Sequence, residues 1–249
     1  MTSYNRYDKL KSCIESFFAT NAYNPDDIEL IITDNGSDDT KTTDYIRSLR
    51  PECRAYHYIL NEKNDYPYCL RRAKNQARAK ATGQYFVDCP DDHLFVVSSP
   101  WISETVNYLK TNDKKISCIC HYAYPEYRFY KPNNRMSECT HNNDYYVSEL
   151  KGYADYHLMS RQAYKKIGVY REDLAWTPNA ESDYMKRSLE LDYRRAMLRY
   201  PVSIINEENY RLLLPIDYEQ YKSAFSQQLY PVCNEALIEH ASKNGHVCK

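Results

Sequence analysis

Gly83-Gln-Tyr-Phe-Val-Asp-Cys-Pro-Asp-Asp-His-Leu-Phe95 is the stretch of sequence that decides the fold. Its apolar run from Tyr85 to Val87 predicts a short buried strand, which Gly83 precedes and the acidic pair Asp91-Asp92 follows. Open α/β sheets bind ligands at the carboxyl ends of their strands. Two adjacent carboxylates repel each other unless a cation lies between them or water solvates them. The pair therefore predicts either a solvated acidic turn or a site for a divalent metal bound to a diphosphate.

The totals exclude some classes of protein. The 249 residues are enough for one large α/β domain, and 33 Lys and Arg against 34 Asp and Glu give no electrostatic reason to expect nucleic acid as a partner. The nine cysteines include no C-x-x-C pair, which is typical of reduced thiols in an intracellular protein. Because no stretch has the roughly 18 apolar residues of a membrane helix and no signal pattern opens the chain, we expect a soluble, cytoplasmic protein.

Helices and strands alternate through the first hundred residues. Apolar residues at helical spacing predict helices, and short β-branched or aromatic runs predict strands. The predicted helices are 7–20, 40–49 and 70–81, and the predicted strands are 28–32, 54–60 and 85–87. Such alternation predicts the α/β class, with a mostly parallel sheet flanked by helices on both faces.

The rest of the chain is predicted in the same way. We expect helices at 102–109, 161–167, 180–191 and 218–242, and strands at 116–122, 155–159 and 202–205. Residues 124–149 are polar and aromatic and predict a long irregular segment that faces an acceptor or moves. Residues 207–214 are candidates for a lid.

Four segments, taken together, carry a resemblance to a known family. They are Met1-Thr-Ser-Tyr-Asn-Arg6, Ile31-Ile-Thr-Asp-Asn-Gly-Ser37, Lys74-Asn75 with Ala79–Tyr85, and Asp91-Asp92. In order and spacing they resemble the inverting family 2 glycosyltransferases with the Rossmann-like GT-A fold, in particular the bacterial spore-coat polysaccharide type. The family has a longer first strand, so either this strand is very short or the chain is part of a longer protein.

The resemblance implies a nucleotide pocket at the first two loops. Its residues would be Thr2, Ser3, Tyr4, Arg6, Asp34 and Asn35. Tyr4 would lie near the base and Arg6 near the base or a phosphate, whereas the alternative is an ordinary strand-to-helix turn. Asp34 and Asn35 match positions that contact a pyrimidine base, and the implied donor is a UDP or dTDP sugar. Asn35 stands where the family has a second aspartate, and its neutral amide can donate as well as accept.

The resemblance also implies a diphosphate and metal site. Asp91 would contact the ribose or the sugar, and Asp92 would bind Mn²⁺ or Mg²⁺. His93 is either an additional ligand or a surface histidine, and Pro90 stands where a strict D-x-D motif has its first acid. On the preceding helix, Arg71 would meet the diphosphate, with a solvated basic face as the equal alternative.

A second group of residues matches the acceptor half of the family. Asn179-Ala-Glu-Ser-Asp-Tyr-Met-Lys-Arg187 implies Glu181 as catalytic base, with Asp183 two residues after it. The alternative is that both acids complement the dipole of a helix N-terminus. The resemblance further implies an acceptor site with Asp155, His157 and Trp176, which are otherwise ordinary sheet and core residues.

The resemblance implies transfer with inversion, and the absence of the Q-x-x-R-W signature of processive synthases favours single-residue transfer over polymerisation. A base removes the proton of an acceptor hydroxyl, of a glycan or other acceptor, as it attacks the anomeric carbon. Two alternatives stay open: a catalytically silent nucleotide-sugar or glycan-binding relative, and a sugar nucleotidyltransferase, whose glycine-rich loop is missing here. We expect one domain over 1–249, with a nucleotide-sugar half at about 1–100, an acceptor half at about 101–215 and a helical extension at about 216–249. Peripheral membrane association is left open.

Overall fold

In the computed structural model, the N-terminal half of the chain is organised around a parallel three-stranded sheet. The structure describes residues 1–20, 23–64, 69–95, 97–98, 101–112, 116–121, 123–124, 140–142, 145–148, 156–173, 177–198, 203–205 and 216–217. The sheet consists of β1 (Thr2–Ser3), β2 (Glu29–Asp34) and β3 (Ala55–Leu60), in that order. Ser3 pairs with Asp34, and Asp34 pairs with Leu60, so all three strands end at one edge.

Helices cover this sheet. They are α1 (Tyr7–Ala19), α2 (Thr40–Ser48) and α3 (Cys69–Lys80), with a short 3₁₀ helix at Pro25–Asp27. The predicted helix ends are confirmed to within one residue. Leu10 and Ile14 of α1, Ile32 of β2 and Ile46 of α2 form one buried cluster, which is the apolar stripe that the sequence periodicity predicts.

The C-terminal half is built around a second sheet, and its remaining elements are as follows. The strands are β4 (Tyr85–Asp88), β5 (His93–Phe95), β6 (Val97–Ser98), β7 (Ile116–His121), β8 (Ala123–Tyr124), β9 (Thr140–Asn142), β10 (Tyr145–Ser148), β11 (Tyr156–Ser160), β12 (Arg194–Leu198), β13 (Ser203–Ile205) and β14 (Ile216–Asp217), and the helices are α4 (Trp101–Asn112), α5 (Arg161–Ile167) and α6 (Thr177–Glu190). The sheet order is β4-β11-β7-β12-β10-β9. Of these pairs β7 and β12 are parallel and the others antiparallel, so this sheet is mixed.

An isolated bridge between described residues joins the two sheets. Thr2 pairs in parallel with Pro90, two residues after the end of β4. The carboxyl end of β4 therefore lies beside those of β1, β2 and β3. This edge of an open α/β sheet is where ligands bind, and the α/β class with a parallel sheet between helices is confirmed.

Several predicted elements need correction. The prediction of irregular structure over 124–149 is wrong where β9 and β10 pair with each other, and β12 was not predicted because two arginines open it. Helix α6 begins at Thr177, three residues before the predicted start. The predicted helix 218–242, the lid 207–214 and the acceptor candidates Asp155 and Trp176 lie outside the described residues. None of the described helices is long and apolar enough to cross a membrane.

Candidate active site

The loops that follow β1 and β2 hold each other in place. The main-chain N–H of Asn5 donates to Ser37 Oγ at 2.8 Å, and Asn5 Oδ1 accepts from the N–H of Asp39 at 3.0 Å. Asn5 has a φ of 51°, a left-handed conformation that asparagine tolerates better than most residues. The two predicted nucleotide loops are thus one connected surface at the carboxyl edge of the sheet.

Asp34 shapes the second loop. Its Oδ2 accepts from the N–H groups of Gly36 and Ser37 at 3.0 and 2.8 Å, and its Oδ1 accepts from the Ser37 hydroxyl. Gly36 has a φ of +80°, and a Cβ there would lie 2.3 Å from the carbonyl carbon of Lys63. Only glycine fits this turn. Asp34 is 1% exposed, so its carboxylate folds the loop, and its contact with a base stays a prediction.

The other predicted nucleotide residues divide by exposure. Thr2, Ser3 and Asn35 are buried, whereas Tyr4 is 37% exposed. The N–H of Asn35 donates to the Ser3 carbonyl at 2.9 Å. The side-chain Oδ1 of Asn35 is buried and makes no hydrogen bond to any residue that the structure describes. Tyr4 is therefore the accessible ring of this loop, and Asn35, whose main chain is hydrogen-bonded to Ser3, the residue before Tyr4, holds a buried acceptor.

Arg6 and the acidic pair meet in one cluster. Arg6 Nη1 lies 3.1 Å from Asp91 Oδ1 and 3.2 Å from Asp92 Oδ2. The side chains are 47% exposed for Arg6, 6% for Asp91 and 29% for Asp92. Burial raises the pKa of Asp91 above its ordinary value, although the Arg6 guanidinium opposes the shift. The solvated-turn alternative is therefore wrong for Asp91.

The chemistry of this cluster fits a divalent cation. Asp91 Oδ2 is buried, and within the described ranges it makes no hydrogen bond. Carboxylate oxygens are the ligands that Mg²⁺ and Mn²⁺ prefer. In the part of the chain that the structure describes, no three His, Cys, Asp or Glu side chains gather as a metal group. A metal held by Asp92 would thus need further oxygen ligands from the bound diphosphate.

His93 is buried, and the surface alternative is wrong. It is 2% exposed because its strand β5 pairs with β13. Its Nε2 lies 4.0 Å from Asp92 Oδ1. Its role as a metal ligand stays a prediction.

Arg71 is also buried, which corrects the prediction of a solvated basic face. It is 1% exposed and lies on the same side of α3 as the buried Asn75 and Arg78. The neighbouring Arg72 is 48% exposed and lies 3.5 Å from the Glu172 carboxylate. The contact of Arg71 with a diphosphate stays a prediction.

A buried ion pair at the end of β4 was missed by the sequence reading. Arg78 Nε and Nη2 reach both oxygens of Asp88, and Lys74 Nζ lies 3.8 Å from Oδ2. The Tyr170 hydroxyl lies 3.4 Å from the same oxygen. Asp88 is therefore neutralised by α3 and is not available to a metal. The signal in the sequence was an acid at the last position of a buried strand. The arginine that pairs with this acid is apparent only from the fold.

The predicted catalytic acids lie on α6. Glu181 is the fifth residue of the helix and Asp183 the seventh, and the first turn holds no acid. The macrodipole alternative is therefore wrong, since that effect fades beyond the first turn. Asp183 accepts from Arg187 Nε at 2.9 Å, and Arg187 also donates to the carbonyls of Ile167 and Val169. Asp183 is thus tied to an arginine that fixes the end of α5.

The acceptor candidate His157 lies on β11, with its main chain opposite Asp88 of β4. In its sheet, β11 lies between β4 and β7. Asp155 and Trp176 are not described. The acceptor site therefore stays a prediction on all three residues.

An open sheet whose strand ends carry an acid pair and an arginine is typical of α/β proteins that bind phosphorylated ligands at that edge. The sequence model of glycosyl transferase family 2 matches residues 1–168, and the chain belongs to this family. The family supports glycosyl transfer as the activity. A search of curated proteins by sequence finds no match.

Similar solved structures share this fold. The mannosyltransferase PcManGT of Pyrobaculum calidifontis, in complex with GDP-Man and Mn²⁺, has a TM-score of 0.60 at 16% identity over 100% of this chain and 63% of that one. A TarS fragment of S. aureus has a TM-score of 0.64 at 12% identity over 97% of this chain and 70% of that one. A TarS fragment with UDP-GlcNAc has a TM-score of 0.61 at 12% identity over 97% and 71%. At these identities the likeness establishes the GT-A fold.

Proposed function

We propose that this chain is a metal-dependent, inverting glycosyltransferase that moves one sugar from a UDP or dTDP sugar to a hydroxyl of a glycan or other acceptor. The observation that supports it most is the cluster of Arg6, Asp91 and Asp92 at the carboxyl edge of the sheet. Its buried carboxylate oxygen makes no hydrogen bond among the described residues, and its arginine is half exposed. The site therefore suits a ligand that brings both a metal for the carboxylates and a phosphate for the arginine.

On the donor side, each group of the cluster has a role. Arg6 would bind a phosphate or the base through its exposed guanidinium. Asp92 would hold Mn²⁺ or Mg²⁺, and His93, whose Nε2 lies 4.0 Å from Asp92 Oδ1, would be an additional ligand. When bound, the metal supplies positive charge for the diphosphate as it leaves. Asp91 would accept from a ribose or sugar hydroxyl.

The nucleotide would lie on the two linked loops. Tyr4 offers an exposed ring against which a base can stack, and Asn35 offers an amide that can both donate and accept. Among similar structures, one holds GDP-Man and others hold UDP or UDP-GlcNAc. The pyrimidine is therefore favoured by the sequence and has to be tested against guanine.

On the acceptor side, Glu181 would be the catalytic base, since one carboxylate within hydrogen-bond reach of the acceptor hydroxyl suffices for direct displacement. The strand β11 with His157 adjoins β4. An acceptor bound there would therefore lie beside the loop after β4 that carries Asp91 and Asp92, which we call the acid loop. Displacement in one step would invert the anomeric configuration. We place this machinery in a single domain over 1–249, working as a non-processive, cytoplasmic enzyme.

A panel of nucleotide sugars tests this proposal. Hydrolysis of UDP, dTDP and GDP sugars would be followed by release of the nucleoside diphosphate, with Mn²⁺ and with a chelator. We expect Mn²⁺-dependent release from UDP or dTDP sugars and a β sugar as the first product of an α donor, seen by proton NMR. Release from GDP sugars alone would contradict the assigned base, and an α product would contradict inversion.

Two variants sharpen the panel. Asp92→Ala should abolish the Mn²⁺-dependent release, whereas Asp26→Ala, an exposed acid in the 3₁₀ helix before β2, should leave it unchanged. No release from any donor, with a parent protein that still binds UDP and Mn²⁺, would favour the silent relative.

A further inference from the structure

A buried cluster joins the acid loop to the helix of the proposed base. Arg78 of α3 and Asp88 of β4 form its ion pair, and their side chains are 3% and 10% exposed. Tyr170, in the segment between α5 and α6, is 2% exposed. Asp88 ends β4, three residues before Asp91. One side of the cluster is therefore continuous with the proposed donor site.

The Tyr170 hydroxyl completes the ion pair. It accepts from Arg78 Nη2 at 3.1 Å and lies 3.4 Å from Asp88 Oδ2, to which it can donate. The Tyr170 ring also lies under the guanidinium, 4.3 Å from ring centroid to Arg78 Cζ. Both the polar and the aromatic parts of this side chain are thus fixed by the same two residues.

The other face of Tyr170 contacts α6. Its ring centroid is 5.0 Å from that of Tyr184, which is also 2% exposed. Glu181 lies three residues before Tyr184 on α6, which is less than one turn of helix. Any displacement of Tyr170 is therefore passed to the part of the helix that carries the proposed base.

The main chain at Tyr170 is held from both sides. Asn75 of α3 accepts from the Tyr170 N–H at 3.1 Å and donates to its carbonyl at 2.9 Å. Arg187 of α6 donates to the carbonyl of Val169 at 2.9 Å. Since hydrogen-bond donors on α3 and α6 both bind this segment, its position depends on the nucleotide-sugar half and on the acceptor half of the chain.

We propose that Tyr170 is a positioning residue that fixes α6, and with it Glu181, relative to the acid loop. It acts through Tyr184 and the Arg78–Asp88 pair, and it touches no substrate. The inference rests on the proposed function, because it assigns Glu181 as the base. Displacement by a fraction of an ångström at such a junction is enough to slow chemistry, since a misplacement of about 1 Å can reduce a rate about a hundredfold.

The test is Tyr170→Phe, which removes the hydroxyl and keeps both ring contacts. The matched control is Tyr56→Phe on β3, which loses one hydrogen bond of 2.7 Å to the Ile46 carbonyl away from the acid loop. Three quantities are compared at equal distance below each melting temperature: kcat for hydrolysis of the best nucleotide sugar, KM for that donor, and the Kd of UDP with Mn²⁺.

For Tyr170→Phe we expect kcat to fall at least about tenfold, with donor KM and UDP Kd within about twofold of the parent, and no such fall in Tyr56→Phe. Unchanged kcat would overturn the inference, and so would an equal loss in both variants or a matching loss of UDP affinity. A parent protein that neither binds UDP with Mn²⁺ nor hydrolyses a nucleotide sugar would overturn the proposed function as well, so the two failures are distinguishable.

Discussion

The buried pair of Arg78 and Asp88 yields the sharpest prediction about stability. Asp88→Asn keeps the shape of the side chain and removes its charge, which leaves the Arg78 guanidinium buried at 3% exposure without its carboxylate. Burial alone would lower the pKa of Arg78, yet Asp88 together with Tyr170 and Tyr184 holds it above its ordinary value. Because a guanidinium is not deprotonated in proteins, the arginine stays charged after the substitution.

The magnitude follows from this geometry. Removing one partner of a buried ion pair costs about 3–5 kcal/mol, which is a large part of the roughly 5–15 kcal/mol that stabilises a typical domain. For a chain of this size each kcal/mol lowers the melting temperature by about 2–4 °C, so we expect a fall of about 6–20 °C. The exposed pair of Arg47 and Asp44, with an N–O distance of 3.2 Å and exposures of 55% and 71%, is the control for the same type of ion pair at the surface. Asp44→Asn should cost less than about 1 kcal/mol.

Circular dichroism melts and urea titrations of the variants measure both effects. A double variant, Arg78→Met with Asp88→Leu, should recover most of the loss, because an apolar pair of similar volume avoids the isolated charge. A cost below about 1 kcal/mol for Asp88→Asn would refute the assignment of a tightly coupled buried pair. So would a double variant no more stable than the worse single one.

Further predictions concern the loops and the acids. Gly36→Ala should lower the melting temperature and weaken UDP binding at least about tenfold, because a φ of +80° costs a residue with a side chain about 1–2 kcal/mol and the new Cβ would meet backbone atoms. The control Gly83→Ala, whose Cβ would meet Tyr85 O at 3.3 Å, should be far milder. Equal effects of the two substitutions would contradict this prediction. Asp91→Asn should flatten the acid-side pH dependence of stability: with its raised pKa, the stability that Asp91 contributes is fully present below its ordinary pKa of 3.8 and is lost as pH rises through the folded-state pKa. Affinity for UDP in the presence of Mn²⁺ should change oppositely, increasing as pH rises through that pKa in the parent, because the ionised Asp91 carboxylate accepts more strongly from the ribose; a pH-independent affinity would contradict the role of Asp91. Glu181→Gln should reduce donor hydrolysis by about 10²–10⁴-fold with little change in melting temperature. Asp183→Asn should mainly lower the melting temperature, by breaking its ion pair with Arg187 within α6; the reverse pattern would assign the base to Asp183.

The N-terminal half of the fold could be predicted because its signals are local. Apolar spacing in α1 and the short run that becomes β2 each report one buried face, and those elements end within about two residues of the predicted ends. Strand β12 was not predicted because Arg194 and Arg195 open it. Its pairing with β7 is a long-range contact that no local window of sequence contains.

The sequence predicted which positions form the site better than it predicted the burial of their side chains. The sequence placed Arg6, Asp91 and Asp92 in one family pattern, and the structure brings them within hydrogen-bond distance. Burial was the part that failed: Arg71 and His93 are polar residues that local pattern favours on the surface, and both are buried by packing between distant segments. Side-chain burial depends on tertiary contacts, and single-residue preferences describe only its average.

Calorimetric titration of the parent protein with UDP, with and without Mn²⁺, tests the metal and diphosphate site most directly. We expect binding that requires Mn²⁺ and that weakens at least about tenfold in Asp92→Ala, since the metal loses its protein carboxylate, with Asp26→Ala binding as the parent does. UDP binding that is equally tight in a chelator, or unchanged in Asp92→Ala, would contradict the account, as would the absence of UDP binding to the parent in the presence of Mn²⁺.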